Sequence, residues 1–403
     1  VTTPSPPLPG ELTLARLLAP LPLDSFIQNY WEVRPYFLSR NAPGFFSSLF
    51  SSRDLDVVLS VQGIGESLRL VKADRSQLSR KELEPGPVPS PYELYLAYAQ
   101  GYTIIVNSID LRWPAITTLC GLLQDTLDHP VNANLYATPG NAQGFPPHYD
   151  DHDVFILQIE GMKTWSLYDS PSVLPLALAQ DQPELNLKGH TPVAEYCLRA
   201  GDMLYIPRGI VHEAATLECS SIHLTVMVQV FTWLDLLGLT LKRHAEQDLE
   251  FRRALPVGFA RNQDGDIAAS AQRLLSHLEL ADLSPVVDEF RRILRANTRP
   301  VPDGHFVSLD LMDEIGLNTR VRRRPGSTPV VSRSGGGVCI EFGGNGVTWP
   351  LVMEPSLRYI ASSEGEGFAV RDLPGDLAAS ARIMLVQRLV VAGLLTVIPQ
   401  HSE

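Results

Sequence analysis

Two histidines and three aspartates crowd residues 148–153, directly ahead of the apolar run VFILQI. Burying charge without a partner is costly, so a segment of this kind needs one, and a bound metal ion would serve. If the segment opens a β-strand, alternate residues share a face; His148 and Asp150 then enter one cavity while Tyr149 and Asp151 point away. A third donor stands downstream in GDMLYIPRGIVHEA, where His212 follows a turn. Two imidazoles and one carboxylate leave coordination positions open, an arrangement suited to non-haem Fe(II) oxygen chemistry. His152 falls on the same face by alternation. His148 and His152 also have the spacing of a helical zinc site, but the segment reads as a strand and lacks the glutamate of that motif. A lone histidine near a strand end is commonly an ordinary core or surface residue, so the weight rests on the combination.

Lys163 follows on the same run, between Gly161 and Trp165. A buried ammonium needs an anion to offset its desolvation. A dicarboxylate that chelates iron through one end would offer its other carboxylate to Lys163. The plainer alternative packs the lysine stem on Trp165 and sends the head to solvent. On VNANLYAT, Asn134, Tyr136 and Thr138 alternate and should face the same cavity.

The elements that must position these residues form a β-rich stretch between Tyr102 and Val230, with strands expected at YTIIVNS, VNANLYAT, DVFILQIEG, KTWSLYD, AEYCLRAGDMLYIP and SSIHLTVMVQVF. Short strands punctuated by Gly, Pro and Asp suggest a sandwich or barrel. Ahead of them, TLARLLAPLPLDSFIQNYW reads as helices broken by Pro20 and Pro22, and LEPGPVPSPYE reads as a loop. After Val230 the period turns helical, through TWLDLLGLTLKRHAEQ, DIAASAQRLLSHLEL and LSPVVDEFRRILRAN. Those amphipathic helices pack on their own domain or on a second copy. From about Arg299, short strands at HFVSLD, GVCIEFGG and GVTWPL precede a helix near 377–392. The fold class is α+β, divided into 1–231, 232–298 and 299–403.

At 403 residues the chain suffices for two or three domains, and 44% hydrophobic with 19% charged content indicates a globular core. A formal charge of -12 argues against a nucleic-acid partner and suits a basic protein or peptide. The RVRRRPG run at 320–326 is expected to be a solvated strand or turn. Cys120, Cys197, Cys219 and Cys339 form no CxxC pair, which makes a reducing, cytoplasmic compartment the default. The opening VTTPSPPLPG lacks the regions of a secretion signal and reads as a flexible leader. The apolar stretch from Ile383 to Ile398 is interrupted by Gln387 and Arg388 and is too short to span a bilayer.

ANLYATPGNAQGFPPHYDDHDVFILQIEGMKTWSLYD followed by GDMLYIPRGIVHEA resembles the JmjC-domain ribosomal oxygenases, which include nucleolar histidyl hydroxylases and their bacterial relatives. The resemblance is dense over residues 130 to 230. It implies a double-stranded β-helix (a jelly roll of the cupin type), a helical dimerisation region and a C-terminal winged-helix-like domain. It also implies Fe(II), 2-oxoglutarate and O2 as cofactor and co-substrates, a homodimer, and hydroxylation of a His or Arg side chain on a ribosomal protein. His148, Asp150 and His212 match the iron ligands, Lys163 the lysine that holds the far carboxylate of 2-oxoglutarate, and Asn134 and Tyr136 cavity residues near co-substrate and substrate. His152 sits at a non-ligating position. Relatives often carry a small hydroxyl residue near the position of Met227, and Thr225 is the candidate to substitute for it. A JmjC N-methyl-lysine demethylase and a peptide-tailoring hydroxylase would keep the same motifs, and a non-enzymatic cupin would lack succinate formation.

Overall fold

In VNANLYAT the odd residues Ala133, Leu135 and Ala137 are almost wholly buried in one apolar cluster, while the even residues face the other way. That two-residue period organises the first 230 residues into sheets. The computed structural model describes residues 6–398 except 61–63, 75–78, 84–89, 177–184, 186–189, 258, 260–265, 280–282, 297–302, 325, 328 and 364–366. Residues 1–5 of the expected leader and 84–89 of the proline-rich loop therefore lie outside the described residues.

The N-terminal part runs α1 (Leu14–Leu18), α2 (Leu23–Asn29), β1 (Tyr36–Leu38), α3 (Ser52–Leu59), β2 (Leu68–Asp74), β3 (Ser79–Leu83), α4 (Pro91–Ala99), β4 (Thr103–Val106) and α5 (Pro114–Leu127). The barrel strands follow as β5 (Val131–Thr138), β6 (Asp153–Tyr168), β7 (Ala194–Arg199), β8 (Met203–Ile206), β9 (Val211–Ala215) and β10 (Ser221–Val228). All are antiparallel, in the order β1-β8-β6-β10-β5-β4-β2-β3, with β7 and β9 also paired to β6.

β6 is the hinge of the design. Its first half pairs with β10 and β8, and its second half with β7 and β9, so one strand serves two sheets. The sequence suggests two strands here; the structure has one, bent at Gly161. That residue has φ +67°, and a Cβ there would lie 1.8 Å from the Ser220 carbonyl oxygen, so only glycine fits. Conversely, the expected single run AEYCLRAGDMLYIP is split into β7 and β8 by the turn at 200–202.

Two apolar layers result. One face of the larger sheet packs on the N-terminal helices and α5 through Phe26, Phe46, Leu119 and Leu224. A second, smaller cluster lies between the sheets and includes Val154, Ile156, Trp165, Leu167, Leu204 and Ile206. This is the two-sheet arrangement of a double-stranded β-helix.

α6 (Trp233–Gln247) begins at a capping box, in which Thr232 Oγ1 accepts from the Asp235 amide at 3.2 Å and the Asp235 carboxylate accepts from the Thr232 amide at 2.8 Å. α7 (Asp266–Glu279) and α8 (Ser284–Ala296) complete the helical region. Next come α9 (His305–Asp310), β11 (Arg320–Arg323), β12 (Val330–Ser334), β13 (Gly337–Phe342), β14 (Asn345–Pro350), α10 (Glu354–Ser362), β15 (Phe368–Ala369), α11 (Ala379–Val391) and β16 (Leu395–Val397). β11 lies between β15 and β16, and β12–β14 form a separate meander. These elements share their own apolar core, around Val321, Ile340, Leu357 and Leu389. HFVSLD, expected as a strand, is the helix α9. Its buried Ser308 bonds Thr396 Oγ1 at 2.8 Å and accepts from the Val397 amide at 3.0 Å, and this packing on β16 overrides the strand propensity of the segment. Among the described residues no helix is long and apolar enough to cross a membrane.

Candidate metal centre

Residues 146–152 are a bent loop rather than the start of a strand. One isolated bridge fixes it: the His148 amide donates to the His212 carbonyl at 3.1 Å, and the His212 amide returns a bond to the His148 carbonyl at 2.8 Å. Gly209, at φ +88°, donates its amide to the Asp150 carbonyl at 2.9 Å. The loop is thereby stitched to β9, and His148, Asp150 and His212 each offer a ligand atom, all within 4.8 Å of one another. The expected pairing of His148 with Asp150 is present. Tyr149 does not point to solvent, however, because it is buried, and the bend at 151–152 breaks the alternation that would have brought in His152. His152 Nδ1 lies 2.9 Å from Asp151 Oδ1 and outside the triad.

Both ligand-type histidines are oriented alike. His148 Nδ1 lies 2.9 Å from the Pro146 carbonyl oxygen, and His212 Nδ1 lies 3.0 Å from that of Ile210. A carbonyl only accepts, so each Nδ1 carries the proton and each Nε2 keeps its lone pair for a metal. Those Nε2 atoms sit 4.0 and 3.6 Å from the Asp150 carboxylate. Burial, with His148 beside it, pulls His212 down to about 4, leaving a neutral imidazole at neutral pH. Burial pushes the Asp150 carboxyl up, but His212, His152 and His148 outweigh it and hold the group below the usual carboxylate range. Two imidazole donors and one carboxylate with free coordination positions fit a divalent transition metal.

Behind the triad the interior is polar but sparsely paired. Lys163 is 4% exposed, and its Nζ donates to Thr138 Oγ1 at 3.1 Å. The head therefore does not reach solvent. Among the described residues no carboxylate pairs with it, and burial alone pulls its ammonium down to about 7. Tyr136 shares a wall with Lys163; burial, then the Asp150 charge, pushes its phenol up to about 12, so it keeps its proton.

Asn134, Tyr136 and Thr138 share the expected face, opposite Thr225, His223 and Ser221 of β10. Asn134 is already engaged: Oδ1 accepts from the Ser108 amide at 2.9 Å, and Nδ2 lies 3.6 Å from Met227 Sδ. Thr225 stands at the Asn134 level, four residues along the strand from the level of Thr138. At about 3.4 Å per residue, that places its hydroxyl about 14 Å along the strand from the level of the Lys163 head.

Three features escaped the sequence reading. His223 lines the same wall, stacked on Tyr136 with ring centroids 4.8 Å apart. The alternation of SIHLTVMV could have flagged it, since it shares a face with Thr225. The carbonyl contacts of the two ligand-type histidines depend on loop geometry and leave no sequence signal. Nor does the ion network of Arg208, Asp153 and Glu32, whose members lie far apart in the chain; Arg208 Nη1 bonds Asp153 Oδ2 at 2.9 Å and Glu32 Oε1 at 2.5 Å. A separate open cleft of about 310 Å³ lies between α5, α6 and α8 and holds none of the residues of the triad.

Residues 113–236, which hold the triad, Lys163, Asn134, Tyr136, Thr138, His223 and Thr225, match the JmjC domain. The chain carries a JmjC domain. It is similar to the bifunctional lysine-specific demethylase and histidyl-hydroxylase NO66 of Aedes aegypti, 31% identical over 282 residues that make up 67% of this chain and 44% of that protein. It is likewise similar to ribosomal oxygenase 1 of Rattus norvegicus, 34% identical over 255 residues, 60% of this chain and 42% of that one. The chain thus spans less than half the length of these relatives. In fold, the JmjC domain and its flanks resemble YcfD, a ribosomal oxygenase from Escherichia coli solved with cobalt and 2-oxoglutarate. The TM-score is 0.58 at 18% identity, covering 94% of this chain and 99% of that one.

Proposed function

We propose that this JmjC-domain protein is an Fe(II)- and 2-oxoglutarate-dependent protein hydroxylase acting on a His or Arg side chain of a ribosomal protein. The observation that carries it is the His148–Asp150–His212 triad with the buried, anion-less Lys163 across the barrel interior. When bound together, iron, 2-oxoglutarate and O2 supply a coupled oxidation that yields succinate, CO2 and one new C–OH bond. The chain's own tasks are to hold, orient and exclude. His148 and His212 present fixed Nε2 lone pairs, and Asp150 supplies the charge. Lys163, helped by Thr138, takes the far carboxylate of the diacid. Asn134 and Thr225 form the wall beside the co-substrate, and Tyr136 offers a phenol proton between co-substrate and substrate. Apolar Trp165, Val154 and Ile156 keep water from the inner end.

The formal charge of -12 favours a basic protein or peptide substrate by electrostatic steering. A homodimer formed through the 232–298 helices is part of the proposal; it is supported by Leu234, Leu237 and Leu241, exposed along α6. Sedimentation as a monomer at micromolar concentration would remove that part. The separate apolar core beyond residue 299 supports a distinct C-terminal unit, which we assign as winged-helix-like and architectural.

The test is incubation with Fe(II), 2-oxoglutarate, O2 and a panel of basic ribosomal-protein peptides. Expected are succinate and a peptide heavier by one oxygen, both lost in His212→Ala while its circular dichroism and melting stay close to those of the parent. Formaldehyde released from a methyl-lysine peptide, with no oxygen gained on any His or Arg peptide, would replace hydroxylation by demethylation. Metal-independent peptide capture without succinate would discard the enzyme altogether.

A further inference from the structure

Lys163 cannot satisfy a carboxylate alone, since its ammonium already spends one hydrogen bond on Thr138 and a carboxylate has lone pairs for about four. Thr225 lies too far along β10 to complete the set. His223 is nearer. It sits two residues from Ser221, the register partner of Thr138, and opposite Tyr136. Its ring is 1% exposed and held on two sides, parallel to Tyr136 at 6° and edge-on to Trp165 with centroids 5.5 Å apart. Within this packing its Nδ1 has no hydrogen-bond partner among the described residues, and neither does Trp165 Nε1. A buried polar atom without a partner calls for an explanation, and a bound ligand is one. Lys163 lies against the same rings, with Nζ 6.0 Å from the Trp165 centroid. An imidazole nitrogen and an indole N–H, both without partners among the described residues, beside a cation without an anion suit a bound anion.

We infer that His223 donates a ring N–H to the far carboxylate of the co-substrate beside Lys163 and so selects a keto-diacid over a keto-monoacid. The inference rests on the co-substrate reading above. His223 here is a binding and specificity residue, with its donor fixed in advance by stacking rather than ordered on binding.

Calorimetric titration of the Mn(II)-loaded full chain, under anaerobic conditions, separates the two ideas. The probes are 2-oxoglutarate and 2-oxobutyrate, which lacks the far carboxylate. His223→Phe keeps a flat buried ring but no donor, and His223→Gln restores an N–H. With Phe, the Kd for 2-oxoglutarate should rise at least about tenfold, the loss expected for one charge-assisted hydrogen bond. The Kd values for Mn(II) and 2-oxobutyrate should hold, and Gln should recover part of the loss. Independently of any variant, a His223 ring N–H resonance in the parent protein should become protected from exchange on adding 2-oxoglutarate and not on adding 2-oxobutyrate. Unchanged 2-oxoglutarate affinity in His223→Phe, or no change in that resonance when 2-oxoglutarate binds, would overturn the role of His223 alone. Failure of the parent protein to bind 2-oxoglutarate would instead overturn the co-substrate reading and this inference with it.

Discussion

Arg208 and Lys163 are both buried cations, and their surroundings differ. Arg208 has its counter-ions: Asp153 and Glu32 both accept from its Nη1, Tyr205 donates to Asp153 at 2.6 Å, and the Glu32 amide donates to Tyr205 at 2.9 Å. Burial pulls the guanidinium down, but its two carboxylates more than compensate and raise it. Lys163 is equally buried and has one hydroxyl. A charge that folding intends to keep comes with its counter-ions, whereas a charge awaiting a ligand is left short of them. The first cluster joins the N-terminal segment to the turn before His212 and is architecture. The second has no counter-ion among the described residues.

The contrast breaks most visibly under truncation. Arg208→Met strands the fully buried Asp153, so unfolding in urea should lose about 3–5 kcal/mol. Lys163→Met removes a cation with no anion, and the ligand-free protein should gain about 1–3 kcal/mol while losing 2-oxoglutarate binding. Equal losses in the two variants would erase the distinction. A smaller effect sharpens it. Because burial lowers Lys163 from its ordinary 10.5 to about 7, the folded protein gives up a proton that the unfolded chain keeps between those values. Stability without ligand should therefore rise with pH from about 7 to 10.5, and the penalty should be complete below that window. The difference between parent and Lys163→Met in urea melts at several pH values isolates this contribution.

Much of the site was legible because period-two alternation survives folding. Asn134, Tyr136, Thr138 and Lys163 all face the interior that the strand pattern implies. The spacing of His148 and Asp150 was also sufficient, although for a different reason: the bridge to His212, and not a strand, sets their orientation. What alternation could not supply is closure between distant segments. Glu32 meets Arg208 across 176 positions, and Gly161 turns one strand through two sheets because the Ser220 carbonyl approaches it. HFVSLD failed as a strand because Ser308 found its hydrogen-bond partners on β16, a contact no local window contains.

The most direct test of the unpaired lysine is the proton balance of co-substrate binding. Titrating Mn(II)-loaded protein with 2-oxoglutarate at about pH 8, in two buffers of different ionisation enthalpy, should reveal net proton uptake as Lys163 regains its charge against the incoming carboxylate. That uptake should vanish with Lys163→Met. Tight binding with no proton taken up, or equal binding by the methionine variant, would contradict the assignment of this buried amine as the diacid's counter-ion.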